Sequence, residues 1–250
     1  WDSIANCGRQ SAEIIVIGAM AGIIIAILDR TGLGQALTLI LAAVGEDSLF
    51  LLLILTALVS ILLGMGMPTS AIYLLLATMI APSLIKLGVN PIAAHMFVLY
   101  FGLMSMITPP VAIAAFAAAS LSGAKPMETG MTAVRLGWIA YVIPFVFVLS
   151  PSLLGQGALS DIIMATVTAF IGVWVASCGL IGYLFGPLSN LMRFLFFGAG
   201  ILLLLPADAI PNGLLINAAG LVLAIVVVSR DYTSNKERRK QAAVESAAGE

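Results

Sequence analysis

The chain consists of long apolar runs separated by short polar connectors. Apolar runs of about 17 to 25 residues can cross a bilayer core as helices. The pattern predicts five such spans, at 12–28, 132–150, 162–185, 190–205 and 213–229. The segment 48–121 is nearly as apolar, but Gly, Pro, Ser and Thr interrupt it repeatedly. We therefore predict an all-α integral membrane protein, polytopic, with one irregular region.

The composition supports a membrane environment. Hydrophobic residues make up 61% of the 250 residues, charged residues only 9%, and the mean hydropathy is +1.13. Soluble domains have about 25% charged residues. The net charge of −1 argues against a nucleic-acid partner. The sequence contains no HExxH, GxSxG or Walker A motif, so we expect no enzyme activity.

The positions of Lys and Arg predict the orientation, because cytoplasmic loops carry a positive excess. The run 230–241 is rich in Lys and Arg, which places the C-terminus in the cytoplasm. The segment 122–135 also carries cations, whereas the connector 206–213 carries none and is expected outside. Trp138 and Tyr141 would then lie at the inner membrane interface as an aromatic belt. The orientation before residue 48 stays open.

The first interruption is the heptapeptide "GMGMPTS" at 64–70, between two apolar arms at 49–63 and 71–85. Its glycines permit backbone conformations that are closed to other residues, and its proline removes a hydrogen-bond donor. Thr and Ser add two hydroxyl groups. We predict a re-entrant hairpin over 49–85 with this heptapeptide at its buried tip.

The second interruption is "SMITPPVAIAAF" at 105–116, within the apolar segment 91–121. Pro109 and Pro110 lack amide hydrogens, so nearby carbonyl groups lose their helical partners. One interpretation is a simple proline kink, with these carbonyls satisfied by the hydroxyls of Ser105 or Thr108. The other is a discontinuous helix whose free oxygens bind an ion.

The presence of two such interruptions favours the second interpretation. Irregular backbone survives in a membrane only where it is buried in protein or lines a polar cavity. Two interrupted apolar segments that meet at mid-depth indicate the binding site of a secondary transporter. A channel subunit and a non-transporting membrane scaffold are the alternative functions.

The paired motifs also carry a family resemblance. The elements "GMGMPTSA", "AAHMFVLYFG" and "TPPVA" resemble the second half of the large, DctM-like membrane subunit of TRAP transporters, the tripartite ATP-independent periplasmic transporters. The form of these motifs is more like that of the fused permeases of the TAXI branch. The resemblance covers roughly residues 10–155. It implies that 1–155 is the second-repeat half of the transport domain, with hairpin 49–85 and broken helix 91–121. Residues 156–230 would be additional C-terminal helices, and 231–250 a cytoplasmic polar tail.

The resemblance further implies the activity and the partners. The family consists of secondary transporters built from inverted repeats that work by an elevator movement in the bacterial inner membrane. A sodium gradient drives uptake of carboxylate-bearing solutes such as dicarboxylates, which a periplasmic TAXI-type solute-binding protein delivers. No cofactor is implied beyond Na⁺ as the coupling ion. The N-terminal half of the permease and the small membrane subunit are expected upstream, so the chain is expected to be part of a longer polypeptide.

The resemblance also assigns site residues. Cation binding would involve Gly64, Met67, Ser105 and Thr108. The residues that line the site would be Gly66, Pro68, Thr69, Ser70, Pro109 and Pro110. The family often has Gly at the positions of Ser105 and Ala112, so this chain departs from the common pattern there.

For the histidine, several charged residues and the two cysteines, we expect structural rather than catalytic or binding roles. His95, the only histidine, is expected to pack or cap near the outer start of the broken helix, with proton coupling as the alternative. Asp161 is expected to cap the N-terminus of a helix. Other charged or reactive side chains are expected to be interfacial or to pack in the interior: Glu13, Asp29, Arg30 and Arg135 at membrane interfaces, and Cys7 and Cys178 in the interior.

Overall fold

The computed structural model describes residues 48–207 and 211–248, together with isolated positions between 7 and 43. Side chains are described as far as Lys236. The predicted span 12–28 lies largely outside the described residues. Glu13 and Asp29 lie outside them altogether.

The continuously described part of the chain is helical. Its elements are α1 (Leu49–Gly64), α2 (Thr69–Met79), α3 (Ala81–Lys86), α4 (Pro91–Met104), α5 (Ile113–Ser122), α6 (Pro126–Leu136), α7 (Ile139–Leu149), a 3₁₀-helix (Pro151–Leu154), α8 (Leu159–Ile181), α9 (Asn190–Leu204) and α10 (Gly213–Ala248). Four stretches among the described residues are long and apolar enough to cross a membrane: Thr69–Lys86, Pro126–Leu149, Leu159–Ile181 and Gly213–Lys236. The prediction of an all-α polytopic membrane protein is confirmed.

The chain divides into two compact units, Trp1–Val148 and Leu149–Glu250. In the first unit, both arms of the predicted hairpin are helical and both pack against α4. The hydroxyl of Ser48 caps α1 by accepting a hydrogen bond from the amide of Leu51, at 3.3 Å. The second arm is not one helix, because it divides at Ile80 and continues as α3, which has a proline in its first turn.

The core of the first unit centres on the aromatic face of α4. Phe97 is fully buried, and its ring lies 4.8 Å from that of Phe101 and 5.2 Å from that of Phe145 on α7, between ring centroids. Burying a Phe side chain contributes roughly 1.5 to 3 kcal/mol. These rings therefore hold α7 against the broken helix.

The second unit is built from α8, α9 and α10. Glycines allow α8 and α9 to approach closely: a Cβ atom at Gly172 would lie 2.8 Å from the carbonyl oxygen of Gly200. Phe196, Leu203 and Val227 are buried in the apolar core between the three helices. The buried side-chain amide of Asn217 reaches the carbonyl oxygens of Leu202 and Leu205; with its nitrogen assigned to the atom that faces them, it donates to both at 2.9 Å and ties α10 to the end of α9.

Three details differ from the sequence-based expectations. Asp161 does not cap α8, since the cap is Ala158 and Asp161 lies in the first helical turn. Cys178 packs in the core as expected, but Cys7 is exposed, so that expectation was wrong. α10 does not end near residue 229, because it continues as a helix through the charged run to Ala248.

Candidate functional site

The tip of the hairpin joins α1 to α2 through residues 65–68. Gly66 has φ +83°, a left-handed conformation that glycine adopts without the cost of a Cβ clash. Pro68 precedes α2, and no side chain caps the first amides of that helix. Thr69 and Ser70 lie exposed in its first turn. The tip therefore presents free amide hydrogens and two hydroxyls.

The break in the second segment spans residues 105–112. The amide of Thr108 still donates to the carbonyl oxygen of Met104, at 2.9 Å. The carbonyl of Met106 finds a new partner beyond the prolines, the amide of Ala114, at 3.0 Å. The carbonyl oxygen of Ser105 accepts no hydrogen bond from any residue that the structure describes. The peptide bond between Pro109 and Pro110 is cis.

The two interruptions meet at Ser105. Its hydroxyl oxygen lies 2.9 Å from the carbonyl oxygen of Gly64 and 2.6 Å from that of Gly102, and its single proton is donated to these oxygens. Ser105 is only 2% exposed and Gly64 is buried. A side-chain hydroxyl thus ties the C-terminal end of α1 to the start of the break, 41 residues further along the chain.

Glycines make this contact possible. A Cβ atom at Gly64 would lie 2.7 Å from the carbonyl oxygen of Gly102, closer than real Cβ atoms approach. A Cβ atom at Gly102 would lie 2.5 Å from the Cγ2 atom of Ile72 on α2. Gly102 therefore supports the packing of both arms. Gly102 was not among the predicted site residues, although an isolated Gly in a helical apolar run signals a close approach.

Thr108 connects the break to α7. Its hydroxyl donates to the carbonyl oxygen of Met104 and lies 2.7 Å from the hydroxyl oxygen of Tyr141. Since Thr108 has one hydroxyl proton, which goes to Met104, the hydroxyl of Tyr141 donates to Thr108. One lone pair of the Thr108 oxygen then remains for a further partner. Tyr141 was assigned to an aromatic belt from the sequence, and its link to Thr108 was missed.

Two further residues, Gly130 on α6 and Ala112, shape the break. A Cβ atom at Gly130 on α6 would lie 3.0 Å from the ring of Pro109, so the helix packs directly against the proline. Ala112 is fully buried and has φ +34°, in the left-handed region that favours glycine. This conformation explains why glycine is suited to position 112.

The structure brings some of the predicted site residues together and leaves others apart. Gly64 and Ser105 are in direct hydrogen-bond contact, and Thr108 follows three residues later. Within the described residues, Met67, Thr69 and Ser70 make no hydrogen bond to the break. His95 packs as expected, with its Nδ1 atom 3.2 Å from the hydroxyl oxygen of Tyr73 on α2.

The chemistry of the site is that of neutral oxygens. Among the described residues, no group of three His, Cys, Asp or Glu side chains could hold a metal ion. The oxygens at the break come from backbone carbonyls and from Ser and Thr hydroxyls. Hard cations bind such oxygens in preference to nitrogen or sulfur ligands.

Apolar helices and two interrupted segments in contact define a polytopic membrane protein with a transporter-like interior. A family model described as "Tripartite ATP-independent periplasmic transporter, DctM component" matches residues 2–162. The chain therefore belongs to this family and is a permease component of a TRAP transporter, not an enzyme. The family implies a membrane location and a periplasmic solute-binding protein as a partner. No curated protein and no solved structure matches the chain.

Proposed function

We propose that this chain forms the second-repeat half of the transport domain in a TAXI-type, sodium-coupled TRAP permease of the bacterial inner membrane. The permease takes up carboxylate-bearing solutes, with dicarboxylates as the expected class, from a periplasmic TAXI-type binding protein. The C-terminus lies in the cytoplasm. The observation that carries the proposal is the buried hydrogen bond from Ser105 to the carbonyl of Gly64, since it joins the two interruptions into one site.

The coupling ion is Na⁺ bound to oxygens of the break. The carbonyl of Ser105 has no hydrogen-bond donor among the described residues, and the hydroxyl of Thr108 keeps one free lone pair. An unsatisfied carbonyl in an apolar interior costs several kcal/mol, and a cation removes that cost. Gly64 and Met67 contribute backbone oxygens from the hairpin side.

The substrate carboxylate binds at the start of α2. This helix of 11 residues begins with uncapped amides and with the exposed hydroxyls of Thr69 and Ser70. The N-terminus of a helix carries a partial positive charge and free N–H donors, which favour an anion. Gly66, Pro68, Pro109 and Pro110 shape the backbone that lines the site.

A channel or a scaffold is the weaker candidate. A channel builds its filter from one segment repeated around a symmetry axis. Two different interruptions in one chain favour alternating access instead. A scaffold has no requirement for either interruption.

The proposal is tested by reconstituting the whole permease that contains this chain with its binding protein in liposomes. We expect uptake of a radiolabelled dicarboxylate that requires an inward sodium gradient and that a proton gradient does not replace. Thr108→Val removes the hydroxyl at nearly constant volume. We expect it to raise the sodium concentration for half-maximal uptake about tenfold, which corresponds to roughly 1.4 kcal/mol.

Thr108→Ser is the matched control, because it keeps the hydroxyl and should keep the sodium dependence near the wild-type value. Membrane insertion of both variants is measured by their yield in the membrane fraction. An unchanged sodium dependence in Thr108→Val would remove this residue from the cation site. Uptake that follows a proton gradient in place of sodium would overturn the choice of coupling ion.

A further inference from the structure

A groove runs along the surface of the second unit between α8 and α10. Its volume is about 450 Å³, and its lining is almost entirely apolar. Ile171 and Trp174 form one wall, and Ile225 and Val228 form the other. Trp174 is 48% exposed and Ile225 is 60% exposed. The groove is thus open along helices that are long and apolar enough to cross a membrane.

One end of the groove is polar. Phe185 and Tyr232, whose rings lie 5.4 Å apart between centroids, close the apolar part. The same two residues line an adjoining cavity of about 170 Å³ together with Asn235 and Lys236. Lys236 is exposed, and the described side chains of 230–236 include two cations, Arg230 and Lys236, against the one carboxylate of Asp231. The cavity therefore lies in a positively charged region.

The length of the groove matches one leaflet of a bilayer. Leu221, at the deep end, and Tyr232, at the polar end, lie about 16 Å apart along α10 at 1.5 Å per residue. Half of a hydrocarbon core of about 30 Å is about 15 Å. An acyl chain that fills the groove thus brings its headgroup to the level of Tyr232 and Lys236.

We infer that this groove binds one anionic phospholipid, with an acyl chain along Trp174 and Ile225 and the headgroup phosphate at Lys236. The apolar part selects a hydrocarbon chain, and the positive end selects negative over zwitterionic headgroups. The side-chain amide of Asn235 donates a hydrogen bond to the carbonyl oxygen of Phe185, and this bond holds Asn235 at the cavity. The groove belongs to the second unit and the proposed transport site to the first, so the inference does not rest on the proposed function.

The test uses the full chain, purified in detergent and mixed with equal amounts of phosphatidylglycerol and phosphatidylcholine, with bound lipid counted by native mass spectrometry. We expect one phosphatidylglycerol to be retained in preference to phosphatidylcholine. Lys236→Gln should lower that preference about fivefold. Lys125→Gln is the control, because Lys125 is also exposed but pairs with Glu128 in the first unit, and it should leave the preference unchanged.

A second pair of variants tests the groove itself. Ile225→Trp places bulk inside the groove and should abolish retention of the lipid. Val226→Trp adds the same side chain at the adjacent, similarly exposed position, outside the groove lining, and should retain the lipid. Circular dichroism checks that both variants keep their helices. Equal retention of the two lipids by the wild type, or equal effects of the two Trp variants, would overturn the inference.

Discussion

The hydroxyl oxygens of Tyr141 and Thr108 lie 2.7 Å apart, which links α7 to the break between α4 and α5. Thr108 in turn donates to the carbonyl of Met104, so three groups form one chain of hydrogen bonds. The ring of Phe145, one turn further along α7, packs on α4. α7 therefore positions the hydroxyl of Thr108 from outside the interrupted segment.

The first prediction concerns this link. We expect Tyr141→Phe and Thr108→Val to be coupled, because each variant removes the same hydrogen bond. Hydrogen bonds between membrane helices contribute about 0.6 kcal/mol on average, so a coupling of roughly 0.5 to 1.5 kcal/mol is expected. A double-mutant cycle of unfolding in mixed micelles measures it. Additive effects of the two substitutions would contradict the bond.

The second prediction concerns the close approach at Gly64. Gly64→Ala places a methyl 2.7 Å from the Gly102 carbonyl oxygen and 2.9 Å from the hydroxyl oxygen of Ser105, so α1 must move away from the break. We expect a loss of roughly 1 to 3 kcal/mol in unfolding free energy. Gly198→Ala, on α9, is the control, since nothing lies within 4 Å of that position. There the same change should be neutral or stabilising.

The third prediction compares two alanines in the same region. Ala112→Gly relieves a left-handed backbone conformation, whereas Ala115→Gly adds a glycine inside α5. The relief of about 1 kcal/mol of backbone strain offsets the loss of the buried methyl group. The melting temperature of the Ala112→Gly variant should therefore stay near the wild-type value. Ala115→Gly should cost roughly 1 to 2 kcal/mol. Equal destabilisation by the two changes in thermal unfolding would argue against the strained conformation.

The fourth prediction concerns Asp231 in the second unit. Its carboxylate is buried and accepts a hydrogen bond from the backbone amide of Phe185, at 3.1 Å. Asp231→Ala leaves that amide without its partner, at a cost of roughly 1 to 3 kcal/mol. Hydrogen exchange should accelerate in residues 183–188. Asp161→Ala, at an exposed position on α8, is the matched control and should leave this segment protected.

The sequence predicted the broad architecture because a bilayer imposes a length on apolar helices. The span predicted at 162–185 corresponds to Leu159–Ile181. The span predicted at 190–205 corresponds to the shorter apolar helix Asn190–Leu204, which is not among the four stretches long enough to cross a membrane. The boundaries differ by several residues because caps and turns, rather than hydropathy, end a helix. The span predicted at 132–150 begins earlier, at Pro126, since a polar first turn with Glu128 precedes the apolar residues.

The candidate site was less accessible to sequence reasoning. Pro109 and Pro110 locate the break, and the glycine-rich tip locates the hairpin, since both act on their own backbone. The contact between Ser105 and Gly64 joins positions 41 residues apart, and no local rule selects that partner. Tyr141 resembles an interfacial aromatic in its sequence context. Its hydroxyl reaches Thr108 through the tertiary packing of α7, where Phe145 contacts Phe97 on α4, and hydropathy does not reveal such packing.

The helix α10 is described as one helix from Gly213 to Ala248. At 1.5 Å per residue it extends about 54 Å, well beyond a hydrocarbon core of about 30 Å. The basic residues between Arg230 and Lys240 therefore occupy successive positions along one helix, over about 15 Å of its axis. Because salt screens charge over about 8 Å at physiological ionic strength, an electrostatic potential at one end of this run is largely screened at the other end.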